Sequence, residues 1–247
     1  MFLSSIEFYQ ACWATNNNCL VLKQSYRICK SKIALNNSCI SYCSFSLISY
    51  THSIIMLGSL FEYLEKAHPL STADKDLIQD ICITRNLLKG EFLLREGDPL
   101  KYGAFVSKGF LRSYIIDNKG KEHIIQFAPE NWWISDKGAS AEGKASCFID
   151  AIEDSSILLV DQAGHVKMLE QIPAYGKSFQ AGMQKRSAAK DKRIVHSLVA
   201  DAEERYNDFI QTYPSIAQRV PQHMLASYLG IAPETLSRVR RKSMRKK

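Results

Sequence analysis

The chain has 247 residues, 46% of them hydrophobic and 23% charged. This is the composition of a soluble globular protein with enough length for one large core or two small ones. The formal net charge of +7 equals that of the last ten residues, Arg238 to Lys247, which hold seven Lys or Arg and no acid. A neutral body with a basic end fits a polyanion partner reached by that end, or a solvated charged tail.

The first 55 residues differ from the rest. They hold five charged side chains and five of the seven cysteines (Cys12, Cys19, Cys29, Cys39 and Cys43). A secretory signal needs a basic start, whereas residues 1–10 have no Lys or Arg and carry Glu7. A membrane span has its best case in residues 33–61, which lack Asp, Glu, Lys and Arg but are interrupted by recurring serines. A zinc site has only the Cys39/Cys43 pair, with no His pair to complete it, and the irregular cysteine spacing does not suit an iron–sulfur cluster. We therefore expect residues 1–55 to be a non-native or disordered extension, with Met56 as the true start. Nothing in the cysteines argues against a reducing cytoplasm, and we expect a cytoplasmic protein without a membrane partner.

From Leu57 to Lys66, Leu57, Leu60, Phe61 and Leu64 fall on one helical face. Ser71 is the expected N-cap of a second helix, with Asp74 and Asp76 in its positive first turn. Between Asn86 and Val160, β-type runs at 91–95, 102–107, 110–117, 123–127, 147–151 and 156–160 alternate with turns. Gly90, Gly97, Gly109 and Gly120 stand where the chain must reverse. Closely spaced strands of this kind predict an antiparallel sandwich or roll. From Ala174 to about Tyr213 no proline or turn cluster intervenes. Tyr175, Phe179 and Met183, then Ile194, Val195, Leu198, Val199 and Ala202, form an apolar face suited to a dimer partner or to the chain's own β-domain.

Gln222–Arg241 reads QHMLASYLGIAPETLSRVRR. Ala226 permits a close helix crossing, Gly230 suits a tight left-handed turn, and Met224, Leu225, Leu229, Leu236 and Val239 supply a small core. Pro233 fits the first turn of the second helix. That helix exposes Glu234, Thr235, Ser237, Arg238 and Arg241, side chains able to read base edges, and the run through Lys242 and Arg245 can reach phosphates. The alternative is an ordinary helical hairpin with a charged face. No P-loop, GxGxxG, GxSxG or HExxH motif occurs, His123 and His165 stand alone, and no catalytic constellation or metal site is expected.

Several segments together carry a resemblance: KGEFLLREGD at 89–98, KGFLRSYIIDNKGKE at 108–122, FAPENWW at 127–133, AEERY at 202–206 and VPQHMLASYLGIAPETLSRVRRK at 220–242. From about Leu57 onward the chain resembles the Crp/Fnr family of bacterial regulators, and more narrowly the branch common in Bacteroidetes. The resemblance implies an α+β fold. An antiparallel, cyclic-nucleotide-binding-like jelly roll at 56–173 precedes a long dimerisation helix at 174–205 and a helix-turn-helix, winged-helix-like domain at 206–247. It implies a homodimer on double-stranded DNA, with RNA polymerase a further partner. It places Glu234 and Arg238 on base-contacting positions and Pro233 where well-known members carry an arginine. Members that bind cyclic AMP have a glycine–glutamate pair and then an arginine–serine pair; here the arginine position falls on Ala145, beside Lys144 and Ser146. Cyclic AMP is therefore not the expected effector, and no cofactor is assigned. Trp132 and Trp133, with Lys144 and Ser146, are candidates for a ligand pocket, the alternative for the indoles being a place in the core. A regulator is the leading reading; a ligand-binding sensor or adaptor acting through protein contacts is the second.

Overall fold

The computed structural model describes residues 54–136 and 143–245, with side chains described as far as Ser243. The expectations for residues 1–53 therefore lie outside the described residues. The described chain runs through helix α1 (54–65) and α2 (Thr72–Ile81), then β1 (Ile83–Leu87), β2 (Phe92–Leu94), β3 (Tyr102–Lys108) and β4 (Leu111–Ile116). Next come β5 (Glu122–Ala128), β6 (Trp133–Ile134), β7 (Phe148–Ala151) and β8 (Ser155–Asp161). Six helices follow: α3 (Gln162–Gln171), α4 (Pro173–Val199), α5 (Ala202–Thr212), α6 (Pro214–Arg219), α7 (Gln222–Leu229) and α8 (Pro233–Arg245).

Strand β8 shows how the layers arise. Side chains of a strand alternate between faces, and Ile157, Leu158, Leu159 and Val160 are all buried, so β8 is covered on both sides. Ile157 and Leu159 join Leu87, Val106, Leu111 and Ile149 in a core between two antiparallel sheets, ordered β1-β8-β3-β6 and β2-β7-β4-β5. Leu158 and Val160 join Phe105 in a second core, beneath Leu57, Leu60 and Leu64 of α1, Ile78 of α2 and Tyr175 of α4. The outer face of the other sheet carries Phe110, Tyr114, Ile124 and Phe127, which meet Phe209, Ile216, Leu225 and Leu236 of the C-terminal helices. Two sheets thus lie between two helical layers.

All six expected strands form. Strand β1 was not expected, because its ITRNL sequence has no apolar alternation, and β6 is only two residues long. The four glycine turns form with positive φ, and Asn131 (φ 65°) adds a fifth reversal before Trp132. Gly109 is the most constrained: its φ is +95°, and a Cβ there would lie 2.6 Å from Asp154 O and Ser155 Cα. Ser71 caps α2 in a full capping box, its hydroxyl accepting from Asp74 N–H and its own N–H donating to Asp74.

Two expectations need correction. The helix foreseen over 174–205 ends at Val199, and α5 begins at Ala202. The cause is a second capping box, in which Asp201 accepts from Glu204 N–H while Glu204 accepts from Asp201 N–H, each at 2.9 Å. The C-terminal domain is helical throughout: among the described residues no strand follows β8, so the expected wing has no strands to form it.

Candidate nucleic-acid interface and sensor site

The C-terminal hairpin is built around Gly230. It ends α7 in the left-handed region (φ 66°, ψ 35°), where its N–H donates to Ser227 O at 3.1 Å and Ile231 N–H donates to Ala226 O at 3.0 Å. A Cβ at Gly230 would meet only Arg205 Nη1, at 3.7 Å, so the position demands a backbone conformation rather than space. Arg205 donates to Leu229 O at 3.1 Å and satisfies a terminal carbonyl of α7. Ala226 is fully buried, which allows α7 to pack closely.

Helix α8 is sharply two-sided. Leu236 and Val239 are buried, while Glu234, Ser237, Arg238 and Arg241 are exposed. At about 100° per residue these four fall together on the side opposite Leu236 and Val239. Thr235 and Arg240 are half-buried and lie on the flanks. Lys242 is exposed but forms an ion pair with Glu203 of α5, and this hydrogen bond raises the lysine pKa. The pair ties α8 to α5. The side chain of Arg245, like Lys246 and Lys247, lies outside the described residues.

Three tethers fasten this helical domain to the β4–β5 side of the roll. Arg219 spans Glu130 and Glu153, with its shortest contacts at 2.7 Å to each. Arg193 of α4 donates to Ile124 O and Ile125 O at 2.9 Å and stacks over the Tyr228 ring. Ser227 of α7 accepts from Ile124 N–H at 3.0 Å and donates to Glu122 O at 2.8 Å. Sequence reading missed these residues. Ser227 sits inside the helix-turn-helix motif, where its hydroxyl gave no sign of a strand partner. Burial pushes the Glu130 carboxyl up, but hydrogen bonds from Arg219 and the backbone outweigh it, and the net shift is downward.

The face expected to pair protomers divides in two. Phe179 packs within its own chain, stacked on Tyr175 at 6.2 Å and edge-on to His165 at 4.7 Å, and Met183 is half-buried. Further along α4, Ile194, Val195, Leu198 and Val199 are 53–80% exposed.

The expected pocket residues do not converge. Trp132 packs against the inter-sheet core and stands edge-on to Tyr213, whereas Trp133 packs with Phe105 and Tyr175 in the core beneath α1. The two indoles belong to different cores because neighbouring residues of an extended chain point to opposite faces. Lys144 is exposed, and its backbone bridges to Pro99. Ser146 is held by Asp136. A cavity of about 250 Å³ opens elsewhere on the roll, between Arg85, Leu94, Asp98, Lys101, Tyr102 and Ile149, and none of the four expected residues lines it. His123 bonds Asp117 at 2.8 Å within the β4–β5 turn, and His165 bonds the Tyr175 hydroxyl at 2.7 Å. Among the described residues no group of His, Cys, Asp and Glu is placed to hold a metal, and no helix is long and apolar enough to cross a membrane.

The fold is a two-sheet roll joined to a helix-turn-helix. Residues 84–171 match the cyclic nucleotide-binding domain family. The transcriptional activator protein Anr of Pseudomonas aeruginosa is 26% identical over 182 residues, covering 69% of this chain and 74% of that protein. Among solved structures, FixK2 from Bradyrhizobium japonicum superposes with a TM-score of 0.57 at 19% identity, over 67% of this chain and 86% of that one. A transcriptional regulator of the Crp/Fnr family from Eubacterium rectale gives 0.53 at 20% identity, over 72% and 85%. In sequence and in fold the chain is similar to transcription regulators of the Crp/Fnr family.

Proposed function

We propose that this regulator binds DNA as a homodimer and reads its operator with α8 in the major groove. The observation that carries the reading is the two-sidedness of α8: Glu234, Ser237, Arg238 and Arg241 stand exposed opposite the buried Leu236 and Val239. Arg238 suits the O6/N7 edge of guanine and Glu234 the N4 of cytosine, and at i, i+4 they meet neighbouring bases. Arg241 and Arg245 serve the phosphate backbone. The exposed Ile194–Val199 end of α4 supplies the seam between protomers, a face that would otherwise leave four large apolar side chains in water. Residues 56–173 act as the sensor, α4 as the dimerising element and the helices from α5 onward as the DNA-binding domain. Placement in the Bacteroidetes-type branch, a cytoplasmic site of action, contact with RNA polymerase and the lack of any catalytic activity belong to the same reading.

Selection of bound sites from random duplex DNA by the full chain tests it. A dimer of this geometry recovers an inverted repeat whose half-sites are about 10 base pairs apart. Recovery of no consensus, with salt-independent retention, refutes the reading.

A further inference from the structure

The family matched by residues 84–171 is named for cyclic nucleotides, and the resemblance puts its phosphate-gripping Arg–Ser pair on Ala145 and Ser146. The residues present do not fit that ligand. The Ala145 side chain is buried in the inter-sheet core, and its backbone is spent on the neighbouring loop, N–H to Asp98 O at 2.8 Å and O from Gly97 N–H at 2.9 Å. Ser146 has two donors, a backbone N–H and a hydroxyl. The N–H donates to Asp136 Oδ2 at 2.5 Å, and the hydroxyl lies 3.1 and 3.0 Å from the two carboxylate oxygens. Asp136 is 7% exposed. A second acid, Glu96, contributes to the same field: burial first, then Asp136 and Glu96, push the Cys147 thiol up to about 12.

We propose that Asp136 is a built-in substitute for the phosphate, so that this subsite rejects cyclic nucleotides and any effector taken there is uncharged or cationic. An N–H and a hydroxyl each have one proton to give, and a two-oxygen anion from the chain itself already receives both. A ligand phosphate would have to displace that carboxylate and then lie beside it, like charge against like charge in a partly desolvated site. The proposal deepens the sensor reading above and rests on it.

The test uses the full chain, isotopically labelled, with the Ser146 amide resonance followed during titration with inorganic phosphate and with cyclic AMP. The unmodified protein is expected to show no saturable shift at millimolar ligand. Asp136→Ala vacates both donors and is expected to bind phosphate at least tenfold more tightly than the unmodified chain, a difference of about 1.4 kcal/mol. Asp136→Asn keeps the shape and one acceptor but loses the charge, and is expected to gain less than Asp136→Ala; it also serves if the alanine variant does not fold. A saturable response in the unmodified protein overturns the proposal, as does the absence of any gain in both variants. DNA binding by the unmodified chain does not depend on either result, so failure here leaves the regulator reading standing.

Discussion

Replacing Arg219 with alanine removes a tie between the β-roll and the C-terminal helices. Its Nη1 and Nη2 donate to Glu130 at 2.7 and 2.9 Å, its Nε and Nη2 to Glu153 at 3.0 and 2.7 Å, and Nη2 also to Gly109 O at 3.2 Å. The guanidinium lies 4.9 Å from the centre of the Phe110 ring. Charge-assisted hydrogen bonds contribute about 1.5–3 kcal/mol, but Glu130 and Glu153 have side chains 35% and 38% exposed, so solvent screening discounts these pairs. Two screened pairs plus a packed stem give a loss of about 1–3 kcal/mol. Urea denaturation of the single variants Arg219→Ala and Glu153→Ala and of the double variant, at low and high salt, measures the coupling. The expected interaction energy is about 0.5–1.5 kcal/mol, shrinking with salt. Arg219→Lys should recover less than half of the loss, because an ammonium cannot grip two carboxylates in a plane. A cycle additive to within about 0.3 kcal/mol refutes the argument. The folded Glu130 pKa is lowered, so its contribution is complete above the unfolded carboxylate range and is lost only as pH falls through the lowered value. The tie therefore stays closed at neutral pH.

Gly109→Ala and Gly230→Ala should separate strain from collision. Both have positive φ, but only Gly109 would press a Cβ onto the backbone of Asp154 and Ser155, so it should cost well over the roughly 1 kcal/mol expected at Gly230 by thermal denaturation. Leu198→Glu, on the exposed end of α4, should convert a dimer to a monomer by light scattering while leaving the far-ultraviolet circular dichroism unchanged. Burial lowers the His165 pKa, so between that value and the unfolded value of about 6.5 the unfolded chain binds more protons. Stability is then full above that window and falls as pH drops through it, and His165→Gln should flatten the slope just below the unfolded value.

The roll was legible because its signals are local. Gly90, Gly97, Gly109 and Gly120 each take positive φ, as a chain reversal requires, and the apolar runs between them became strands. The helix-turn-helix was legible for the same reason, since Ala226, Gly230, Leu236 and Val239 act at fixed spacing within one short motif. The break at Ala200 was carried by Asp201 and Glu204, a capping box that reads as two more charges in a charged helix until its geometry is seen. What stayed hidden was pairing across long separations. Nothing near Arg219 announces Glu130 or Glu153, and nothing near Ser146 announces that Asp136 turns back onto it. Trp132 and Trp133 look like one feature in the sequence and are two in space, because an extended backbone sends neighbours apart. Lys242 too pairs across a long separation: its partner Glu203 lies 39 residues earlier.

The central claim is that the exposed face of α8 reads bases, and competition binding of the full chain and Arg238→Ala between a selected operator and its scrambled duplex tests it most directly. Arg238 is exposed, so its loss should leave the fold intact. The account predicts a loss of about 1–3 kcal/mol on the operator, relaxed preference at one base pair of each half-site, and little change on the scrambled duplex. An equal loss on both duplexes would make Arg238 a phosphate contact, and no loss on either would make it a solvated helix residue; each result contradicts the claim.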